Sequence, residues 1–374
     1  MTLDFQQLMT QATSLTQAGD LRAATAAIQA ALGLGLPAAA SAANDASRTD
    51  SNAERRTIDV TAREVPDVEP APAADETAWA ANEAAIATPG SDAKSQFIAG
   101  SFSTASGGRD YKLFIPAGAG ASPLPLVVML HGCTQDPDDF AAGTAMNELA
   151  QAQGMYVLYP AQSQQANPQR CWNWFKHSHQ QRGRGEPALL AGMTQQVMKQ
   201  HAVDPDRIYA AGLSAGGAMA AILGDTYPEL YAAVGVHSGL AAGAASDLPS
   251  ALAAMQGNGS RSAPSARHVP TIVFHGDADA TVHPRNGEQV AAASSAGSRQ
   301  PDVHQQQPAG KRRSTRSVHR NADGRVLAEH WLVHGAAHAW SGGSTHGTYT
   351  DARGPDASAE MLRFFLEHPR RATQ

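Results

Sequence analysis

The chain has 374 residues, 42% of them hydrophobic, which is enough apolar material for the core of one large domain. The formal net charge is -6 and no basic stripe is interleaved with aromatic residues, so the composition argues against a nucleic-acid partner. No apolar run approaches the roughly 18 residues of a membrane span, and two cysteines exclude both a disulfide-built scaffold and a four-cysteine zinc site.

The N-terminal part of the chain divides into two segments of different composition. Residues 1–34 place Leu, Ile and Ala at helical spacing and predict a helical segment, which is a candidate surface for a helix-mediated contact with a partner. Residues 35–95 are rich in Ala, Pro, Asp, Glu and Ser, a composition that predicts a disordered linker. The N-terminus shows neither a basic region nor an apolar core of a secretory signal, so we expect a cytoplasmic protein.

Residues 96–370 alternate between strand and helix patterns and form the predicted catalytic domain. The predicted strands are 97–104, 109–115, 126–130, 155–159, 207–213, 232–236, 271–274 and 326–333, and the predicted helices are 143–153, 186–201, 215–224 and 358–366. Several of these strands are unbroken apolar runs, which is typical of strands buried on both faces of a parallel sheet. The alternation predicts an α/β fold with a doubly wound, mostly parallel sheet.

Residues 212–216, Gly-Leu-Ser-Ala-Gly, connect an apolar strand directly to an Ala-rich helix. This context identifies the nucleophile elbow of an α/β-hydrolase, a sharp turn that requires small residues two positions before and after the serine. The turn raises the hydroxyl of Ser214 above the sheet, and the helix that follows directs its first amide, that of Ala215, toward developing negative charge. The sequence therefore predicts Ser214 as nucleophile and the Ala215 amide as an oxyanion donor.

A serine nucleophile needs an acid to orient its base, and in this fold the acid follows the serine in the chain. Asp279 is the predicted acid, because the loop after its strand must turn at Gly276 before a carboxylate can point back toward an imidazole. Asp277 lies inside that turn and is the alternative, although it is better placed to accept local backbone amides.

His338 is the predicted base of the same site. The small residues 335–337 precede it and allow its loop to approach Ser214 closely. The chain has 15 histidines, and two others near this loop are alternatives. His334 lies at the strand end, and His346 lies farther along a Gly/Ser-rich stretch.

The loop after the first buried strand should supply the second oxyanion donor. We favour the backbone amide of Cys133, positioned by the flexible His131-Gly132 step. The alternative, a catalytic thiol at Cys133, lacks a second base. No cofactor or metal is predicted, since His275 and the nearby aspartates match no ligand pattern.

Three tryptophans lie near these loops, namely Trp172, Trp174 and Trp340. Two interpretations stay open. The rings either form an apolar wall that binds the acyl part of a substrate, or they pack the core beneath the loops.

The motifs together resemble the poly(3-hydroxybutyrate) depolymerase family of esterases, and the related feruloyl and acetylxylan esterases share part of the pattern. The resemblance extends over residues 96–368 and is carried by residues 130–135 (LHGCTQ), 171–174 (CWNW), 212–217 (GLSAGG), 275–279 (HGDAD) and 335–340 (GAAHAW). It implies an α/β-hydrolase fold, a catalytic triad of Ser214, Asp279 and His338, an oxyanion donor at Cys133 and a tryptophan-lined acyl subsite. A bridge between Cys133 and Cys171 is also implied, which a reducing cytoplasm would oppose.

The resemblance predicts hydrolysis of carboxylic esters through an acyl-enzyme, with poly(3-hydroxybutyrate) or hydroxyalkanoate oligomers as substrates. A feruloyl or acetylxylan esterase is the nearest alternative. A catalytically dead hydrolase fold that serves as a binding module, and a peptidase of the same fold, are more remote. We recognise no polymer-binding domain in this sequence, so we expect soluble oligomers and small esters to be as suitable as substrates as a polymer.

Overall fold

The computed structural model describes residues 94–104, 107–259 and 269–370. The predicted helical segment, residues 1–34, lies outside the described residues, and so does the predicted linker, residues 35–95, apart from its last two positions. Both therefore stay predictions. In the part that the structure describes, no helix is long and apolar enough to cross a membrane.

A ten-stranded sheet forms the centre of the described chain, in the order β1-β2-β4-β3-β5-β6-β7-β10-β9-β8. Its strands are β1 (Gln96–Thr104), β2 (Gly107–Ile115), β3 (Leu124–Leu130), β4 (Tyr156–Pro160), β5 (Val203–Leu213), β6 (Ala233–His237), β7 (Thr271–Gly276), β8 (Asp302–Gln306), β9 (Ser314–Arg320) and β10 (Val326–Val333). The central block from β4 to β10 is parallel, and antiparallel strands flank it on both sides. The predicted mostly parallel sheet is confirmed.

Helices cover both faces of this sheet. They are α1 (Pro137–Thr144), α2 (Met146–Gln153), α3 (Gly185–Gln200), α4 (Ala215–Thr226), α5 (Leu248–Ala253), α6 (Arg285–Ser294) and α7 (Ala357–Glu367). Alternate residues of β3 pack into opposite halves of the core, with Val128 on the side of α3 and α4, and Val127 on the side of α1, α2 and α7. Burial on both faces explains why the central strands are continuous apolar runs.

The structure corrects the predicted elements at several places, and the helices α5 and α6, for example, were not predicted. The single helix predicted over 143–153 is two helices, α1 and α2, because Ala145 takes a left-handed conformation (φ 50°) between them. No strand was predicted between 274 and 326, yet β8 and β9 form there and close one edge of the sheet. A short parallel pair, β11 (Trp340–Ser341) with β12 (Thr350–Asp351), follows β10 outside the main sheet.

Candidate active site

Ser214 occupies the turn between β5 and α4. Its backbone has φ 57° and ψ −118°, a left-handed conformation that is strained for a residue with a Cβ. Two close approaches explain the flanking glycines. A Cβ on Gly212 would clash with the backbone of Gly216, and a Cβ on Gly216 would clash with the carbonyl oxygen of Leu130. The turn therefore forms as the sequence predicts and holds the Ser214 side chain at the carboxyl edge of the sheet.

Asp279 follows β7 at the same edge and has a buried side chain. Its Oδ1 accepts the amides of Thr281 and Val282, each at 2.9 Å, and its Oδ2 lies 2.7 Å from Nδ1 of His338. Burial by itself would raise the pKa of this carboxyl, but the hydrogen bonds and the nearby imidazoles outweigh it, so the pKa lies below its usual range. Asp279 is thus an ionised acceptor aimed at His338.

His338 follows β10, the neighbour of β7 in the sheet. Because Nδ1 faces an ionised carboxylate, Nδ1 carries the proton in the neutral ring and Nε2 keeps its lone pair, as a general base requires. Among the described residues, no hydrogen bond joins this imidazole to the hydroxyl of Ser214. Hydrogen bonds of this kind are often long in the absence of substrate and shorten in the reactive complex.

His237 links the elbow to the loop of His338, and sequence analysis missed it. It ends β6, its carbonyl accepts the amide of Ser214 at 2.8 Å, and its Nε2 accepts the amide of Ser341 at 2.9 Å. Its ring stacks between Phe274 and Trp340, and burial lowers its pKa to about 3. The backbone of His237 therefore binds the elbow, and its neutral, buried imidazole holds the chain three residues after His338. The available signal was a histidine at the end of the strand beside the elbow strand.

The two alternative residues, Asp277 and His334, bind each other. Asp277 Oδ2 lies 2.8 Å from Nδ1 of His334, and Oδ1 accepts the amide of Gly335 at 2.6 Å. The other ring nitrogen of His334 is already occupied by the hydroxyl of Thr315 at 2.9 Å. This contact joins the loop of Asp279 to the loop of His338, at a more solvent-exposed position than the contact between Asp279 and His338. His346, the remaining candidate, contacts Ser344 on an exposed loop.

The loop after β3 lies against the elbow and carries Cys133. A Cβ on Gly216 would come within 2.6 Å of the His131 carbonyl oxygen, which shows how closely the two segments approach. Burial lowers the pKa of His131 to about 4; the neutral ring accepts the Gln162 amide at Nε2 (3.1 Å) and donates from Nδ1 to the Gly132 carbonyl (2.7 Å).

The Gly132–Cys133 peptide is oriented by that last hydrogen bond. In a trans peptide the N–H points opposite to the C=O, so fixing the Gly132 carbonyl on His131 turns the amide of Cys133 the other way. Within the described part of the chain this amide has no hydrogen-bond partner. The amide of Ala215, at the first position of α4, has no partner inside its helix. The two amides predicted as oxyanion donors are thus both available.

Cys133 is joined to Cys171 by a disulfide, with the Cα atoms 4.2 Å apart. The sulfur is therefore bonded and not a free nucleophile, so the catalytic-thiol alternative is wrong for this structure. The bond holds residues 131–135 to the loop that carries Trp172. The expected cytoplasmic location stays a prediction, and reducing compartments disfavour such a bond.

We expect loss of this disulfide to lower both stability and activity. The Cys133→Ser/Cys171→Ser double variant should lose about 3 kcal/mol of unfolding free energy, because the unfolded chain is no longer cross-linked. Its kcat on p-nitrophenyl butyrate should fall as well, since the Cys133 amide is less well held. Urea unfolding and initial rates measure the two effects, and wild type treated with a reductant is the matched comparison. Unchanged stability and activity in both samples would contradict this prediction.

The tryptophans are packing residues in this structure. Trp172 is fully buried and donates its Nε1–H to the carbonyl of His131 at 3.1 Å. Trp340 is buried too, donates to Ser358 at 3.0 Å and stacks on His237. The wall interpretation is corrected for these two rings, which lie in the core beneath the site. Trp174 retains 6% exposure and also belongs to the core.

Comparison with known proteins finds esterases and a polyester depolymerase among the proteins that this chain resembles. The family model described as "Esterase PHB depolymerase" matches residues 109–298. The chain is 32% identical over 189 residues to poly(3-hydroxyalkanoate) depolymerase C of Paucimonas lemoignei, covering 47% of this chain and 45% of that protein. It is 31% identical over 140 residues to feruloyl esterase B of Thermothelomyces thermophilus, covering 37% and 47%. The chain thus spans about half the length of these relatives.

A solved structure with the same architecture supports the fold. Acetyl xylan esterase from Aspergillus awamori superposes with a TM-score of 0.58 at 18% identity, covering 73% of this chain and 99% of that one. At this identity the likeness concerns the fold alone, and together with the sheet order it confirms the predicted α/β-hydrolase fold.

Proposed function

Because this chain belongs to the esterase PHB depolymerase family, we propose that it is a serine esterase acting through Ser214, Asp279 and His338. The observation that carries the proposal is the 2.7 Å hydrogen bond between Asp279 and His338 at the sheet edge that also bears the elbow. A buried, ionised carboxylate that orients an imidazole, at the sheet edge that also carries the half-buried Ser214, is the arrangement that nucleophilic acyl transfer needs.

In the proposed mechanism, His338 Nε2 takes the proton of Ser214 as the hydroxyl oxygen attacks the ester carbonyl. The amides of Cys133 and Ala215 donate to the oxyanion that forms. His338 then gives its proton to the leaving alcohol, and the C–O bond of the ester breaks to leave an acyl-enzyme. Water, deprotonated by the same imidazole, then attacks the acyl-enzyme; the bond between the acyl carbon and the Ser214 oxygen breaks, His338 returns its proton to that oxygen, and the acid is released. Asp279 stays ionised throughout and stabilises the imidazolium.

The proposed substrates are 3-hydroxybutyrate oligomers and related hydroxyalkanoate esters. The similarity to a poly(3-hydroxyalkanoate) depolymerase supports this class. Feruloyl and acetyl esters of carbohydrates are the second candidate, supported by the similarity to a feruloyl esterase.

Active-site labelling and a substrate panel test this proposal together. We expect a fluorophosphonate to form a stoichiometric adduct on Ser214, and kcat/KM to be highest for a 3-hydroxybutyrate trimer among that trimer, methyl ferulate and p-nitrophenyl acetate. A higher value for methyl ferulate would favour the carbohydrate-esterase alternative. Absence of both adduct and turnover would support the catalytically dead binding module instead.

A further inference from the structure

We propose that Tyr349 is the exposed aromatic residue that contacts the part of the substrate beyond the scissile carbonyl and favours esters longer than acetate. The inference rests on the proposed esterase function. It assigns to Tyr349 the apolar contact that the sequence suggested for Trp172 and Trp340, which the structure buries in the core.

The backbone of Tyr349 lies beside the loop of His338. The chain leaves β11 after Ser341, only three residues past His338, and returns through Tyr349 into β12. The Trp340 amide donates to the Tyr349 carbonyl at 2.6 Å, so the two segments are joined where β11 begins. The position of Tyr349 is therefore fixed relative to the strand that follows the predicted base.

The side chain of Tyr349 reaches the oxyanion loop. Its phenolic oxygen lies 3.1 Å from Oγ1 of Thr134, and Thr134 in turn donates its one hydroxyl proton to the carbonyl of Cys133 at 2.6 Å. Tyr349 is consequently the donor in the first contact. The ring thus bridges the segment after His338 and the residue next to the Cys133 amide, the two sides of the space in which an ester carbonyl would bind.

Tyr349 is 47% exposed and has a left-handed backbone (φ 53°). A bulky residue adopts this conformation only where its surroundings enforce it, and such strain concentrates at functional sites. Because its hydroxyl contacts Thr134, the exposed ring is already held in place. It presents a flat apolar surface and loses little further side-chain entropy when a substrate binds. That is what binding of an apolar substrate group needs.

The surroundings that hold Tyr349 are a polar cluster centred on Asp139. Thr348 donates its amide and its hydroxyl to the Asp139 carboxylate at 2.8 and 2.5 Å. Gln135 donates to the same carboxylate at 2.8 Å, and its Oε1 accepts the amide of Gly132 at 3.0 Å. The cluster ties the residue before Tyr349 to the oxyanion loop, so that the ring and the Cys133 amide are positioned by one set of contacts.

The test compares the substrate selectivity of three variants. Two of them are compatible with the left-handed backbone but lack the ring, and the third keeps the ring. Tyr349→Gly and Tyr349→Asn both tolerate the left-handed conformation and remove the ring, so that folding is preserved. Tyr349→Phe keeps the ring and removes only the hydroxyl. We expect the glycine and asparagine variants to lower kcat/KM for the 3-hydroxybutyrate trimer about tenfold more than for p-nitrophenyl acetate, mainly through KM.

The phenylalanine variant distinguishes a contact between the ring and the substrate from a structural role of the Tyr349 hydroxyl. We expect its ratio of kcat/KM between trimer and acetate to stay within about twofold of wild type, because the ring is retained. An equal fall for both esters in all three variants would overturn the proposal, since it would indicate a purely structural hydroxyl. No change in the glycine and asparagine variants would overturn it too. Failure of the esterase function itself looks different, because wild type would then hydrolyse neither ester and take up no fluorophosphonate.

Discussion

We expect Ser214→Ala to lower kcat for p-nitrophenyl butyrate by about 10⁴-fold or more, the scale of nucleophile losses in other serine hydrolases. The reason is geometric as well as chemical. Alanine has the same Cβ as serine, so it meets the same strain at φ 57° and leaves the elbow intact. Only the attacking oxygen is removed, while Asp279, His338 and both oxyanion amides stay in place.

The experiment compares initial rates of wild type and Ser214→Ala with circular dichroism spectra of both. Ser246→Ala is the matched control, because Ser246 is an exposed serine outside the elbow and should retain wild-type turnover. The fluorophosphonate adduct should vanish in Ser214→Ala and persist in Ser246→Ala. A Ser214→Ala protein that is folded and still turns over at more than about a hundredth of the wild-type rate would place the nucleophile elsewhere.

The parts of the candidate site whose geometry agrees with the sequence predictions are those whose requirements are local. A strand, a serine between two glycines and a helix follow one another within a few residues, and the sterics of the turn explain each of them. Ser214, Asp279 and His338 each follow a parallel strand. Because the carboxyl ends of parallel strands lie at one edge of the sheet, the sequence could also predict that these three residues meet there.

The polar strand β9 was missed because its stabilising partners are distant in the chain. Arg316 forms hydrogen bonds with Glu329 on β10 at 2.7 and 3.0 Å, and Arg363 on α7 reaches the same carboxylate at 2.7 Å. Burial would raise the pKa of Glu329, but the two guanidinium groups lower it below its usual range. A segment whose charges look solvated in isolation is thus held in the sheet by ion pairs that no local pattern reveals.

The role of the tryptophans was open for a related reason. Trp172 donates to the carbonyl of His131, which precedes it by 41 positions, and this partner decides that the ring lies under the oxyanion loop. An aromatic residue in a loop has the same local sequence whether it faces solvent or the core. Tyr349 shows the converse, since nothing in its neighbours predicts the exposed left-handed conformation.

Replacing Asp279 with asparagine should lower kcat by roughly 10⁴-fold with little effect on KM. The amide oxygen can still accept the Thr281 and Val282 amides, so the loop keeps its shape. The amide nitrogen then occupies the position of Oδ2 and presents a donor to His338 Nδ1. The ring must protonate at Nε2 to avoid opposing donors, and the lone pair that should accept the Ser214 proton is lost. Initial-rate kinetics at several substrate concentrations separate kcat from KM.

Asp277→Asn is the matched control for that variant, because the two aspartates are two residues apart and each contacts a histidine at Nδ1. We expect Asp277→Asn to lose less than about tenfold in kcat, since it weakens an outer contact between the loops while Asp279 keeps His338 in the reactive tautomer. The side chain of Asp279 is fully buried, whereas that of Asp277 is 38% exposed. This difference agrees with the assignment of Asp279 as the orienting acid. If Asp277→Asn loses as much activity as Asp279→Asn, the acid is not Asp279 alone, and the outer pair of Asp277 and His334 takes part in the proton transfer.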